Sequence, residues 1–298
     1  MKYIYFGAAM LLSWANYACD VCGVSTMNTG QGIVPSSSYH FIGVVSNYQQ
    51  YRSLQAILMS DGMRYSTEHF GSITIHGRWQ AHKRFAVLGY IPLKHNAQNF
   101  NSTITHHSGL GDISLVGEWL AVNNQTKGLQ WRLRPGIKFP TGSFSQEVYS
   151  TSNRDLGTGS IDFQLGSSLI LLKDRWGFSS DLTGQLNTEN RVGYRYGSGL
   201  RTDALGYLRF KPNESTLLPF LGASYQCIFA DQIDNIPVSQ QFNGGHLVQL
   251  EAGAQLFTNQ WMFSIRYGQP IYQALSNKDV QARIGLTQLS INYLFNKN

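Results

Sequence analysis

What most constrains this chain is a strict two-residue alternation, sustained in segment after segment from about residue 38 to the C-terminus. In LQWRLRPGIKF (129–139), Leu129, Trp131, Leu133, Ile137 and Phe139 fall on one face, and Gln130, Arg132, Arg134, Gly136 and Lys138 on the other. The same phase sets Ile73, Ile75 and Trp79 against Thr74, His76 and Arg78, and Trp261, Phe263, Ile265 and Tyr267 against Ser264 and Arg266. Successive side chains of a strand point to opposite faces, so each segment reads as a strand with one apolar and one polar side. A soluble sandwich alternates too. Three further features separate the two. The segments are long enough to cross a bilayer as tilted strands of about 9–11 residues. Aromatic residues sit near the ends of the apolar faces, and the connections alternate in length.

Twelve strands are expected, at about 38–51, 66–80, 84–93, 109–122, 129–139, 159–172, 176–187, 199–211, 217–229, 245–257, 261–269 and 280–295. Links after the even-numbered strands are short, such as LKDRW and FTNQW. Those after the odd ones are mostly long, as in IPLKHNAQNFNSTITHHSGLG and PTGSFSQEVYSTSNRDLGTGS. Short turns on one rim, long loops on the other and an even strand count define the fold class: all-β, a transmembrane antiparallel up-and-down β-barrel. The expected place is the outer membrane of a Gram-negative-type bacterium, with both termini periplasmic. Near the C-terminus, Ile291, Tyr293 and Phe295 of LSINYLF alternate outward, like the closing strand by which barrels are recognised for insertion. Outer-membrane lipid and the barrel-insertion machinery are therefore expected partners.

Composition agrees. Charged residues are 13% of the chain, about half the usual share. Mean hydropathy is only −0.21, and no apolar run after residue 18 approaches the roughly 20 residues of a membrane helix. The formal charge of +6 is spread along the chain, which excludes the clustered basic surface of a nucleic-acid binder.

Met1-Lys2 followed by the apolar stretch Tyr3 to Trp14 reads as a signal peptide. Cleavage after Ala15 or after Ala18 would start the mature chain near Cys19. The expected domains are a signal peptide (1–18), a periplasmic tail (19–37) and the barrel (38–298). The tail carries Cys19-Asp20-Val21-Cys22. Gly23, where haem attachment needs His, removes that chemistry. Zinc needs two more ligands, and residues 23–37 hold neither His nor Cys. A lipid anchor on Cys19 wants a Leu-like residue where Asn16 stands. A structural disulfide, a redox or metal-transfer contact with a periplasmic partner, and lipidation stay open. Cys19 and Cys22 are expected to be oxidised to each other, with Cys227 free.

By parity, Arg78, Arg132, Arg134, Lys138, Arg201, Arg209, Arg266 and Arg283 project inward, with Asp112, Glu118, Asp162, Asp181, Asp203 and Glu251. Charges of both signs would either pair into a network bracing the barrel or line a polar path with a mild anion preference. A turn centred on Gln125 makes opposite residues of the fourth and fifth strands sum to 250. Asp112 then faces Lys138 and Glu118 faces Arg132, while Trp119 faces Trp131 and Ile113 faces Ile137 outside. The same construction puts Glu251 opposite Arg266.

SGLGDISLVGEW (108–119), KFPTGSF (138–144) and DLGTGSIDFQLG (155–166), in this order and spacing, carry a family resemblance. The chain resembles the outer-membrane barrel family labelled for the meta-pathway of phenol degradation. Its members are often called transporters and are loosely related to hydrophobic-compound channels. The resemblance covers most of the mature chain and implies a barrel carrying small solutes, hydrophobic or aromatic ones among them. Some members also have a Cys-Asp-x-Cys-Gly stretch after the signal, often with a third cysteine where this chain has Val24. Gly109, Gly111, Gly142, Gly157 and Gly159 are expected at turn dihedrals and bulges. GLGD is no phosphate loop, because no helix follows it.

The expected function is thus a channel or transporter for small solutes. The alternatives are a non-transporting barrel for docking or adhesion, and a periplasmic redox or metal-contact protein working through the CxxC tail. An enzyme is not expected, and neither is a cofactor or a resident metal. His69, His76, His106, His107 and His246 supply bases and Ser108 adjoins two of them, but no local motif joins nucleophile, base and orienter.

Overall fold

The computed structural model describes residues 39–56, 63–100, 103–144, 155–234, 236–237, 244–275 and 280–296. The signal peptide and the tail with Cys19 and Cys22 lie outside them. The alternating segments become β1 (Tyr39–Ala56), β2 (Met63–His82), β3 (Phe85–Phe100), β4 (Thr103–Leu110), β5 (Ile113–Asn124), β6 (Leu129–Phe139), β7 (Asp162–Lys173) and β8 (Trp176–Leu186). Then come β9 (Tyr194–Arg195), β10 (Gly199–Leu208), β11 (Thr216–Ile228), β12 (Gln232–Ile233), β13 (Ile236–Pro237), β14 (Gly245–Thr258), β15 (Trp261–Leu275) and β16 (Val280–Asn296). Each long strand pairs antiparallel with its neighbours, β16 joins β1, and β2 joins β3, so the sheet closes. β4 and β5 both pair with β3 and form one wall position. The result is a closed antiparallel barrel of twelve strands. Its two-residue segments β9, β12 and β13 make a small separate sheet in the loops.

The barrel is inside out relative to a soluble protein. Leu165 is 64% exposed on the outer face, whereas Glu251 is wholly buried inside. Lipid makes this arrangement favourable, because apolar side chains face hydrocarbon while the closed ladder satisfies every strand's backbone. Trp79, Trp119, Trp131, Trp176 and Trp261 all stand exposed beside the short turns. Their amphipathic rings suit a membrane–water boundary, and together they form one girdle. On the inner face of the same end, Phe41, Leu88, Tyr90, Val116, Met262 and Leu294 pack into an apolar cluster. A second cluster of Leu205, Tyr207, Leu218 and Phe220 meets it through Phe257.

The short links are 83–84, 125–128, 174–175, 209–215 and 259–260. The opposite rim departs from expectation. Residues 93–108 are not a loop: β3 and β4 run on as a hairpin, pairing Leu93 with Leu110 and Phe100 with Thr103. β1 and β2 likewise pair as far as Ala56 and Met63. On the β3–β4 extension, residues 94–99 and 105–108 are almost all polar, so polar side chains fall on both faces. Alternation therefore fades there although the ladder continues.

Register differs from expectation, by three residues next to the turn and by two beyond the bulge after Leu120. Trp131 lies opposite Val122; past the bulge, Arg132 lies opposite Leu120, Trp119 opposite Leu133, Ile137 opposite Leu115 and Lys138 opposite Ser114. The cause is a four-residue turn at 125–128 with Gly128 at φ 62°, plus a bulge between Leu120 and Val122. Glu251 faces Gly268, and Arg266 faces Gly253, because the hairpin turns on Asn259-Gln260. Asn259 has φ 50°, which suits the first position of a type I′ turn. A two-residue slip keeps every side chain on its face, which is why the pattern could not detect it. Cysteines at Leu115 and Ile137 are expected to cross-link readily in membranes, and those at Ile113 and Ile137 are not. The opposite outcome would restore the simpler register.

β15 and β16 are paired only from Trp261↔Tyr293 to Gly268↔Leu286. Beyond that point β15 pairs with β14 and β16 with β1. Two irregularities in β1–β16 fall at this level, between Tyr48 and Tyr51.

Candidate functional site

Inward-facing strand positions bring the ionic residues together in three groups. In the first, Glu118 of β5 accepts from Arg78 Nε at 3.1 Å and Nη2 at 2.8 Å. Arg132 Nε approaches the same carboxylate at 3.7 Å, and Arg134 pairs with Asp181. In the second, Arg201 Nη2 lies 2.8 Å from Asp203 and 2.9 Å from Glu251. Arg266 closes this group on the same two carboxylates. The third joins Lys138 Nζ to Asp162 at 2.8 Å and to Asp112 at 3.4 Å. Asp112–Lys138, Glu118–Arg132 and Glu251–Arg266 are thus ion pairs despite the shifted register, because long side chains reach diagonal neighbours.

The third group is also where the three Gly-rich phrases meet. Asp112 of the first accepts from the backbone N–H of Gly142 at 3.0 Å, and from the N–H and hydroxyl of Thr158 at 2.8 and 3.0 Å. Thr158 Oγ1 also lies 2.9 Å from Asp162, so its one proton is shared between the two carboxylates, while Ser160 Oγ donates to Asp162 at 2.8 Å and Thr188 N at 2.9 Å. The two ends of the 140–161 connection are thereby fastened inside the barrel. Sequence reasoning saw turn glycines here and missed the convergence. Among the five glycines it singled out, only Gly159 has a positive φ, 70°. Gly142 and Gly157 are needed for approach: a Cβ on Gly142 would stand 2.8 Å from Gly157 Cα.

Further out, Tyr194 donates to Asp231, whose other oxygen accepts from Gly197 N at 2.5 Å, and Tyr196 donates to Asp155. These contacts tie the 187–198 and 229–237 loops to each other and to the 155–161 segment. Arg209 does not join the interior groups: it donates to the Asp174 carbonyl at 2.5 Å on the short-turn rim. The side chain of Arg283 lies outside the described residues. Cys227 is free and sits on β11 opposite His246.

Ser108 pairs with His95 rather than with the adjacent His106 or His107; its Oγ lies 2.5 Å from His95 Nδ1. His106 stacks on His95 with ring centroids 5.4 Å apart. A stacked ring does not orient a base as an in-plane hydrogen bond would. His76 is buried beside Asn292, 2.5 Å away. No group of three His, Cys, Asp or Glu able to hold a metal occurs among the described residues.

An apolar exterior, a tryptophan girdle and a polar interior enclosed by twelve strands define an outer-membrane β-barrel of the porin-like class. The profile of the family named for the MetA-pathway of phenol degradation matches residues 61–275. The chain belongs to that family. Among solved structures it is similar to the COG4313 outer membrane channel of Pseudomonas putida F1, with TM-score 0.62 and 16% identity over 87% of this chain and 96% of that one. It is also similar to the β domain of the Bordetella autotransporter BrkA (TM-score 0.46, 11% identity, 87% and 100% covered). The TodX monoaromatic hydrocarbon channel aligns at TM-score 0.42 with 9% identity, over 88% and 91% of the two chains. No curated protein sequence matches it.

Proposed function

We propose that the protein is an outer-membrane channel for small uncharged solutes, foremost those with an apolar or aromatic body. One observation carries this: among the described residues, the charges of the twelve ion-paired side chains inside the wall sum to zero. Arg78, Arg132, Arg134, Lys138, Arg201 and Arg266 supply six cations, and Asp112, Glu118, Asp162, Asp181, Asp203 and Glu251 supply six anions, all in mutual ion pairs. These twelve side chains, eleven of them buried, brace the wall around the path. A bare ion crossing such a path meets no net field to replace its hydration, whereas a neutral solute loses little. The resemblance to a channel at TM-score 0.62 and the family's association with phenol degradation agree with this substrate class.

The termini face the periplasm, because twelve strands return the chain to its starting rim. The barrel-insertion machinery acts on the closing strand, and lipid covers the outer face. In planar bilayers we expect small, infrequent ion conductance, with liposomes passing neutral aromatic solutes. Wide, steady ion conductance would contradict the proposal. Protease added to intact cells is expected to cut within 140–158 or 230–244, or nowhere. Cleavage in the Lys173-Asp174-Arg175 turn would reverse the orientation.

A further inference from the structure

At the end that carries the short turns, the bore is filled by side chains of its own wall. The first apolar cluster draws on β1, β3, β5, β15 and β16, with Phe257 of β14 packed against it. The second draws on β10 and β11, with Leu172 of β7 and again Phe257 packed against it. Leu172, Phe257 and Met262 each stand second from the short-turn end of their strands. The clusters therefore lie at the mouth itself.

Three wall positions remain, and each is covered. β2 supplies Arg78, whose Nη1 donates to the Tyr39 carbonyl at 2.6 Å and whose Nη2 donates to Glu118 at 2.8 Å. β6 supplies Arg132, 3.7 Å from the same carboxylate. β8 supplies Gly177, where a Cβ would collide with the ring of Tyr207. Met262 and Leu218 point inward, yet both are 0% exposed. Around an open, water-filled bore such side chains would have water on their free sides. Here those sides meet other side chains.

We infer that this ring is an apolar septum that keeps water and ions out of the short-turn mouth, with Met262 and Leu218 as its sealing residues. The inference rests on the channel proposal and gives its barrier to ions a place. An apolar constriction too narrow for liquid water stays dry, and an ion cannot bring its hydration through it. Arg78 and Arg132 do not break the seal, because Glu118 holds both. An uncharged solute has only to part the side chains. The unbranched thioether of Met262 yields most readily, since it turns about three bonds and refits irregular gaps. The mouth opens around the solute and reseals behind it, leaving no lasting aqueous path.

Two measurements test this on the full-length barrel. The first is osmotic shrinkage of liposomes holding the wild type, expected to match protein-free liposomes. Water permeability well above that baseline would overturn the septum, whatever the variants do. The second is planar-bilayer conductance of M262Q and L218N, which place an amide of similar volume in the seal. An amide buried without a partner favours the hydrated state, so each should raise the mean ion conductance at least about tenfold. M262L should stay at the wild-type level. Folded fractions are read by circular dichroism, and conductance is taken per folded barrel. Polar variants as silent as the wild type, or a conducting M262L, would overturn the septum. A barrel that excludes water yet passes no neutral solute would refute the channel and leave the septum; one that passes both would do the reverse.

Discussion

Lys138→Met is expected to destabilise the barrel by about 3–5 kcal/mol, the cost of leaving a buried charge without its partner. The lysine is the cation that touches both Asp112 and Asp162, and all three side chains are buried. Without it, two carboxylates share one enclosed site with no cation between them. The backbone N–H groups of Gly142 and Thr158, which Asp112 now fixes, lose part of their anchor. Both ends of the 140–161 connection should loosen, so the backbone N–H groups of Gly142 and Thr158 should exchange hydrogen faster in the folded variant than in the wild type. Adding Asp162→Asn restores charge balance and should recover a large share of the loss, giving a strongly non-additive cycle. Urea-induced unfolding from lipid vesicles measures both. A loss under about 0.5 kcal/mol in K138M would mean that the group is decorative.

Glu251→Gln has the second large effect. Glu251 is wholly buried and bridges Arg201 and Arg266. Its neutralisation leaves two guanidiniums with Asp203 alone, an uncompensated positive charge inside the wall. We expect a stability loss of about 3–5 kcal/mol again. A second readout separates function from stability. The surplus charge should make the residual ion conductance anion-selective, which the balanced wild type should not be. Reversal-potential measurements in a salt gradient report this directly. A variant with unchanged selectivity would show that permeant ions never approach Glu251.

Most of the wall was legible in the sequence because lipid imposes the pattern. Trp131, Leu133 and Ile137 face hydrocarbon while Arg132, Arg134 and Lys138 cannot, so faces and strand number follow from alternation alone. Register was not legible. A slip by two leaves every face unchanged, and only the turn at Gly128 and the bulge after Leu120 decide it. The hairpin above the membrane was invisible for the opposite reason. His95, Ala97, His106 and Ser108 lie on paired strands in an aqueous setting, where neither face must be apolar. The meeting of Asp112, Lys138, Thr158 and Asp162 has no local signature, since the Asp112–Thr158 bond joins residues 46 apart in sequence.

The central claim is a channel whose twelve ion-paired side chains sum to zero charge and which passes small neutral solutes and refuses ions. Its most direct test is liposome uptake of two solutes alike in size and differing in charge, benzyl alcohol and benzoate, with protein-free liposomes as the baseline. The account predicts protein-dependent entry of the alcohol and none of the benzoate. Entry of benzoate at an equal or higher rate would contradict it.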